Sequence, residues 1–407
     1  MATATARSAS AFRSSAFSRF YAGQTLSYLG DGLRTLAIPL LVFRLTGSAT
    51  AIGWTWGLEV LPYAFVSLIG GSLADRVDRR RMMLACDASR CLVMTLFCIM
   101  FASGRLTIAM VYGGVLILAI AGALFLGAQT PTIPYLLGKD GAKSGVSTLQ
   151  ATEQTVNLVA PPLGGALMGV VGPLPALIVN AVTYLCSQVA IASVPTFGPD
   201  EPGSIPTLRE VLSDVAVGWR YVMSDAAVRA TSVISMFGNF VGSVGFVALI
   251  PFFKRVFDAH DSAIGLAYGC FAAGAAIGCY CAGRTHWRVG PALIAANLLD
   301  GVLWLGVPAA SSLPLAVAAL FAASACSGYY VTTVVSWRMR IVPGDVVGRA
   351  FGVVRLIALV GILPGSLAGG WLADRIGVRP TLWISALGFL VVAALMAAIP
   401  AIRRERR

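Results

Sequence analysis

Apolar residues run along the chain in long blocks, separated by short polar or basic stretches. Twelve blocks reach the roughly 20 residues that a helix needs to cross the hydrocarbon core of a bilayer. The pattern therefore predicts an all-α membrane protein. Its twelve predicted spans, in chain order, are 17–43, 50–74, 82–103, 106–130, 146–171, 174–195, 228–253, 262–283, 290–310, 313–336, 347–372 and 380–401.

One polar interval, 196–227, is longer than the others and divides the spans into two sets of six. Within it, apolar residues at helical spacing predict an amphipathic helix; they are Leu208, Val211, Leu212, Val215 and Trp219. The predicted organisation is a cytoplasmic tail at 1–16, a six-helix bundle at 17–195, a cytoplasmic linker at 196–227, a second six-helix bundle at 228–402 and a basic tail at 403–407.

The two sets of spans also share a sequence repeat. The segment GGALMGVVGPLPAL at 164–177 matches GGWLADRIGVRPTL at 369–382, with six identities in fourteen positions at a constant offset of 205. This repeat predicts two pseudo-symmetric bundles. Parallel repeats of this kind place a substrate site at their interface, near the middle of the bilayer.

Composition and charge agree with a lipid environment. The chain is 57% hydrophobic and 12% charged, about half the charged fraction of a soluble domain. The net charge of +12 does not indicate a nucleic-acid partner, because the basic residues cluster at the ends of the spans. Twenty-one of them lie on the side of the termini and six on the other. The positive-inside rule then predicts a multi-pass protein of the bacterial inner membrane with both termini cytoplasmic.

The loop between the second and third spans reads GGSLADRVDRRR at 70–81. Its glycines allow a neighbouring helix to approach closely, and its acid and arginines can form a latch that holds one conformation. The alternative is a basic loop that only sets topology. The predicted latch, extended by an i, i+3 pair in the third span, consists of Gly70, Gly71, Asp75, Arg76, Arg79, Arg80, Asp87 and Arg90.

This loop resembles the signature of the major facilitator superfamily, and the resemblance extends over the whole chain in length and in its 6+6 layout. Asp78 stands where that family usually has glycine. The resemblance implies the twelve-helix major facilitator fold and secondary transport by alternating access. A similar string, LADRIGVR at 372–379, falls on the outer face by span count, so it is not expected to have the same role.

The fifth span carries a motif that resembles the antiporter signature of drug exporters in this superfamily. It retains Pro161, Gly164 and Gly165, with Val156 and Ala160 in place of the two earlier glycines. An ordinary packing face of small residues is the alternative. The first span, LSYLGDGLR at 26–34 followed by LTGS at 45–48, is similar to the branch containing macrolide-efflux and siderophore-export proteins.

Charged residues inside spans are costly and therefore candidate functional groups. Asp31 and Arg34 lie one turn apart near the middle of the first span, and Glu59 precedes Pro62 in the second. Asp31 and Glu59 are predicted to bind protons or substrate, with Arg34 beside Asp31 as a further candidate. A static Asp31–Arg34 pair and a packing role for Glu59 remain the alternatives.

Two further sets complete the candidate site. Glu153 and Arg355 lie at similar depths in the fifth and eleventh spans, which predicts a pair that switches during transport. Aromatic and amide side chains that can line a cavity are Tyr28, Trp54, Gln154, Asn157, Asn239 and Tyr329.

The sequence thus predicts a monomeric, proton-coupled exporter of a small organic molecule such as a siderophore, antibiotic or drug-like compound. Its partners are that substrate, protons and the lipid bilayer. Import or flipping of a lipid-like or metabolite substrate is the alternative. A membrane sensor or enzyme is disfavoured, since no catalytic motif, cofactor site or metal-ligand spacing is present. The energy source is expected to be the proton gradient rather than a bound cofactor.

Overall fold

The computed structural model describes residues 12, 14–74, 77–195, 208–285, 287–344 and 346–403. These residues form fifteen helices, with no strand among them. The helices are α1 Ser15–Thr46, α2 Ala49–Ala74, α3 Arg79–Ala102, α4 Ile108–Gly138, α5 Asp140–Val171, α6 Pro173–Ala192, α7 Leu208–Ser224, α8 Ala226–Phe257, α9 Asp261–Ala282, α10 Val289–Ala309, α11 Leu313–Ile341, α12 Val347–Val360, α13 Ile362–Arg375, α14 Val378–Ala398 and α15 Pro400–Arg403.

Eleven helical segments in the described part of the chain are long and apolar enough to cross a membrane, with α12 and α13 counted together. The helix α2 covers the second predicted span but is not among the eleven; most side chains in its second half lie outside the described residues. The prediction of an all-α, multi-pass membrane protein is confirmed. The predicted amphipathic helix of the linker corresponds to α7.

The segment 131–145 corrects the predicted boundaries. It was expected to connect the fourth and fifth spans, but α4 and α5 continue through it as helices. Only Gly138 departs from helical geometry, with φ 70° and ψ 170°, a conformation that glycine adopts without a Cβ penalty. The length of an apolar block measures the part of a helix that lipid can cover, so it misses a helix that extends beyond the bilayer core.

The chain divides into two compact units. The first unit contains residues 1–41 and 62–207, and the second contains residues 42–61 and 208–407. This division differs from the predicted domains in one segment: residues 42–61, the end of α1 and the first half of α2, belong to the second unit. The helices α1 and α2 therefore each contribute to both units.

Each unit has its own apolar core. In the first, aromatic residues of α1 pack with α3 and α4 around Phe17, Phe20, Met83 and Phe125. In the second, α8, α10, α11 and α14 meet around Ile234, Leu293, Trp337, Val392 and Met396. A second cluster in that unit seats the amphipathic α7 on α12 through Val222 and Val353.

The sequence repeat corresponds to repeated local structure. Gly172 and Gly377 both lie at turns between helices, α5–α6 and α13–α14, with φ of 83° and 97°. About two helical turns before these glycines, Gly164 packs against the backbone of Leu33 in α1, and Gly369 packs against that of Val244 in α8. Equivalent glycines thus provide the same turn and the same close helix approach within each unit.

Candidate functional site

Asp31 lies on α1 inside the first unit, where it meets one hydroxyl and two guanidinium groups. The Tyr184 hydroxyl of α6 donates a hydrogen bond to its carboxylate. Arg34 Nε lies 3.6 Å from one carboxylate oxygen, and Arg90 Nη1 of α3 lies 3.7 Å from the other. The Asp31 side chain is 32% exposed. The negative charge of Asp31 is therefore compensated by two guanidinium groups, and its carboxylate is still accessible from outside the core.

Arg90 connects Asp31 to a second carboxylate. It forms an ion pair with Asp87, whose side chain is fully buried. Its guanidinium also lies between two rings, 4.5 Å from the centroid of Phe125 and 4.7 Å from that of Tyr184. Such cation–π contacts hold a guanidinium in place more strongly where water is excluded. Arg90 is therefore fixed between the carboxylates of Asp31 and Asp87.

A chain of polar groups continues from this site along α1. The Gln129 side chain of α4 donates to Gln24 at 2.8 Å and to the Tyr28 hydroxyl at 2.7 Å. Gln24 in turn donates to Ser187 of α6 at 3.3 Å. Tyr28, predicted to line a cavity, is thus part of a hydrogen-bonded network that adjoins Asp31.

Glu153 of α5 also belongs to this environment. It interacts electrostatically with Asp31 and with Tyr28. With every group ionised, this part of the first unit contains the carboxylates of Asp31, Asp87 and Glu153 and the guanidiniums of Arg34 and Arg90. Three negative charges against two positive charges leave one negative charge for a proton or a cationic ligand to neutralise.

The motif in α5 positions this part of α1. A Cβ on Gly32 would lie 2.4 Å from the Ala160 Cβ, and one on Gly164 would lie 3.1 Å from the Leu33 carbonyl oxygen. Gly165 is also buried, and the side chain of Pro161 lies outside the described residues. The small residues therefore bring α5 into close contact with α1 on either side of Gly32, next to Asp31.

The predicted latch is only partly described. Asp75 and Arg76 lie outside the described residues, and Gly70 and Gly71 fall within α2. Arg79 donates to the Pro131 carbonyl at 3.3 Å, and Arg80 donates to the carbonyls of α6 at Ile191, 3.2 Å away, and at Ala192. These arginines tie the start of α3 to α4 and α6.

Asp87 and Arg90 were assigned to that latch from their position in the third span. The structure places them beside Asp31, a proximity that spacing within one helix does not reveal. Their membership of a latch with Asp75 remains a prediction.

Glu59 lies in the part of α2 that belongs to the second unit. One turn before it, Trp56 packs against Phe246 of α8 with ring centroids 5.0 Å apart. Phe246 also contacts Tyr268 and Phe271 of α9, at 5.3 and 5.9 Å. The predicted carboxylate therefore adjoins an aromatic cluster that joins α2, α8 and α9.

The remaining candidates are dispersed. Gln154, Asn157 and Trp54 are exposed, and Arg355 is exposed on α12. Asn239 donates to the Ala358 carbonyl at 2.8 Å. Tyr329 shares a hydrogen bond of 2.8 Å with Thr285, just beyond the end of α9. The pairing of Glu153 with Arg355 stays a prediction.

Several residues of the site were not identified from the sequence. They are Tyr184, Gln24, Gln129, Ser187 and Phe125. Each lies on a different helix from the residue it contacts, and polar residues within apolar spans were the only available signal. Their partners follow from helix packing rather than from spacing along the chain.

Comparison with known proteins agrees with the fold. The sequence pattern of a family described as a transmembrane secretion effector matches residues 6–406. The multidrug efflux pump Tap of Mycobacterium tuberculosis is 25% identical over 400 residues, covering 92% of this chain and 91% of that protein. Macrolide efflux protein A of Streptococcus pyogenes is 26% identical over 205 residues, 49% of this chain and 50% of that protein.

Among solved structures, the nucleoside transporter NupG superposes with a TM-score of 0.75 at 13% identity, covering 95% of this chain and 99% of that one. This likeness shows the fold. Together with the match over nearly the whole sequence, it establishes that the chain belongs to the transmembrane secretion effector family of the major facilitator superfamily.

Proposed function

We propose that this protein exports small, drug-like organic molecules by alternating access and that proton binding at Asp31 and Glu153 drives the cycle. Two observations support the kind of cargo: the matching family is one of secretion effectors, and relatives are named as multidrug and macrolide efflux proteins. The proton as driving ion is supported by the charges around Asp31.

The observation that carries this proposal is the unmatched negative charge among Asp31, Asp87, Glu153, Arg34 and Arg90. Asp87 is fully buried and paired with Arg90, so within this group of charges it is the carboxylate that keeps its partner. Asp31 and Glu153 are partly exposed and their negative charges repel each other, so a proton or a cation at either carboxylate relieves that repulsion. A cationic or basic substrate and a proton would compete for this charge, and such competition couples their movements in opposite directions.

Protonation of Asp31 would change its contact with Arg90. When Asp31 is ionised, it attracts Arg90, which also pairs with Asp87. A proton neutralises Asp31 and removes that attraction, so Arg90 then pairs with Asp87 alone. Because α1, α3 and α6 all contribute to the network, a proton at Asp31 changes the forces between three helices of the first unit.

The proposal includes the orientation and state of the protein in the membrane. Both termini are placed in the cytoplasm of a bacterial cell, because twenty-one basic residues flank the spans on that side. The active unit is a monomer, since each chain would contain its own pathway. Cysteine labelling of the termini in intact and opened cells tests the orientation.

The test uses inverted membrane vesicles or proteoliposomes with an imposed proton gradient, and erythromycin and ethidium as probes. Asp31→Asn and Glu153→Gln are each expected to lower gradient-driven accumulation about tenfold or more, a loss of at least 1.4 kcal/mol in coupling. Asp258→Asn is the matched control, because this outer-loop aspartate holds a left-handed conformation that asparagine also adopts.

Two results contradict parts of the proposal. Gradient-driven transport that is undiminished in the Asp31→Asn, Glu153→Gln double variant removes both carboxylates from coupling. Accumulation only in vesicles of native orientation indicates import instead of export.

A further inference from the structure

The second unit contains a buried carboxylate that the proposed cycle does not use. Asp300 is the twelfth residue of α10, a 21-residue helix, and is only 5% exposed. Ion pairs of this unit include those of Arg44 and Lys254 with Asp261 and of Arg255 with Asp374. Asp300 takes part in none of them.

The helices around Asp300 offer it no nearby cation. On α11 the titratable groups facing it are Cys326 and, further along, Tyr330. On α14 the contacts with this face of α10 are apolar: Leu390 packs on Gly301 and Phe389 packs on Trp304.

The other charged side chains on the helices that surround Asp300 lie near the helix ends. Arg379 at the start of α14 donates to the carbonyl of Ala310, and Arg403 is in α15. On α8, Gly245 contacts Trp304, and its charged residues Arg229, Lys254 and Arg255 are near the helix ends. An ionised Asp300 would therefore be a buried, uncompensated charge, which costs several kcal/mol, whereas the neutral acid avoids most of that cost.

A row of polar side chains leads from Asp300 toward the end of α11. Asn297 lies one turn before Asp300 on the same face of α10, and both are buried. The Tyr330 side chain interacts with Asn297 and lies 3.5 Å from the Ser235 hydroxyl of α8. Hydroxyl groups and water can pass a proton along such a row, with the Asn297 amide as a hydrogen-bond partner for that water.

Arg338 ends this row. It is 4% exposed and donates to Ser235 and Thr231, each at 3.3 Å. No acidic residue of the described chain forms an ion pair with it. It lies eight residues beyond Tyr330, or about 12 Å along α11 at 1.5 Å per residue. Arg338 is thus the buried positive charge at the end of the row away from Asp300.

We propose that Asp300 is a second proton-binding site, which exchanges its proton through Asn297, Tyr330 and Ser235 with the side of the membrane predicted to be cytoplasmic. In the release step the O–H bond of the carboxylic acid breaks, its electron pair stays on Asp300, and the proton passes to water at the cytoplasmic side of the row. The reverse step reloads the acid. Its contribution to transport rests on the proposed proton coupling, but its protonation does not.

Infrared difference spectroscopy on the purified full chain in lipid tests the site directly. The band expected of Asp300 is a carbonyl stretch of a protonated carboxylic acid that is present at neutral pH, disappears as the pH is raised and is lost from the spectrum of Asp300→Asn. It should persist in Asp31→Asn and in the control Asp258→Asn. Asp300→Glu keeps the acid and should shift the band, which guards against misfolding of the asparagine variant.

The pathway is tested by the rate at which the acid proton exchanges in heavy water. Tyr330→Phe and Ser235→Ala are expected to slow exchange about tenfold or more, a barrier increase of about 1.4 kcal/mol, without removing the band. Absence of the band in the wild type, or a band unchanged in Asp300→Asn, overturns the site. A band that neither titrates nor exchanges identifies a static structural acid and also overturns it.

These outcomes are separable from the test of the proposed function. Loss of coupling in Asp31→Asn with no titrating band at Asp300 supports the first proposal and contradicts the second. A titrating Asp300 band in a protein whose transport ignores the proton gradient supports the second proposal as a binding site and contradicts the first.

Discussion

The carboxylate of Asp374 accepts a hydrogen bond from the backbone nitrogen of Thr50 at 2.9 Å, so the end of α13 caps the beginning of α2. The Ala49 nitrogen donates to the same carboxylate at 3.0 Å, and Ser48 Oγ does so at 2.6 Å. Arg255 adds an ion pair at 3.2 Å. The LADR string at 372–375, which resembles the latch motif, therefore has a different task within the second unit: its acid caps a helix N-terminus.

We expect Asp374→Ala to lower the stability of the second unit by about 0.5–2 kcal/mol, the usual cost of losing an N-cap side chain. Thermal unfolding in detergent measures this as a lower Tm. Arg375→Ala is the control, because the neighbouring arginine is exposed on the same helix end. Equal stability of the two variants would show that the cap contributes nothing.

Asp261 is expected to be more sensitive than Asp374, because its side chain is only 1% exposed. It pairs with Arg44 and with Lys254, whose Nζ lies 2.6 Å away. Asp261→Asn removes the counter-charge of both cations and should cost about 1.5–3 kcal/mol, as for hydrogen bonds to a charged group, because Arg44 and Lys254 are themselves partly exposed. The neighbouring Asp258→Asn is the control, and equal Tm values for the two variants would contradict the prediction.

The packing of α9 against α11 depends on glycines that leave no space for a side chain. A Cβ on Gly278 would lie 1.9 Å from the Ala325 carbonyl oxygen, and one on Gly328 would lie 2.2 Å from that of Ala275. Gly278→Ala and Gly328→Ala must therefore separate the helices, at an expected cost of about 1–3 kcal/mol each. Gly113→Ala, where no atom lies within 4 Å, is the matched control. Unfolding temperatures, with the yield of monodisperse protein, measure the difference.

The sequence was informative where one helix contains the whole signal. Apolar block length located most spans to within a few residues: the predicted 228–253 is α8, Ala226–Phe257. The repeat correctly related Gly172 to Gly377. Polar helical extensions such as 131–145 were missed, because they need no apolar block.

The spacing of residues along the sequence could not predict contacts between different helices. The i, i+3 pairs Asp31–Arg34 and Asp87–Arg90 are visible in one helix, but the meeting of Asp31 with Arg90 depends on how α1 packs on α3. Tyr184 reaches Asp31 across 153 residues of chain. A single sequence contains no signal that orders such pairings, so the site was predicted as separate residues and not as one network.

The Asp87–Arg90 pair offers a test of that network by a double-mutant cycle. Arg90→Gln leaves the fully buried Asp87 without its guanidinium and should destabilise the protein by about 3–5 kcal/mol. Asp87→Asn should cost less, because Arg90 still has Asp31 at 3.7 Å and the rings of Phe125 and Tyr184.

Removing both charges avoids the uncompensated carboxylate, so the double variant Asp87→Asn, Arg90→Gln should be more stable than Arg90→Gln alone. Its Tm is expected to lie between those of the two single variants. In proteoliposomes it should nevertheless lose gradient-driven transport, because Asp31 no longer has Arg90 as a partner. A double variant whose destabilisation equals the sum of the two single losses would show that Asp87 and Arg90 are energetically independent.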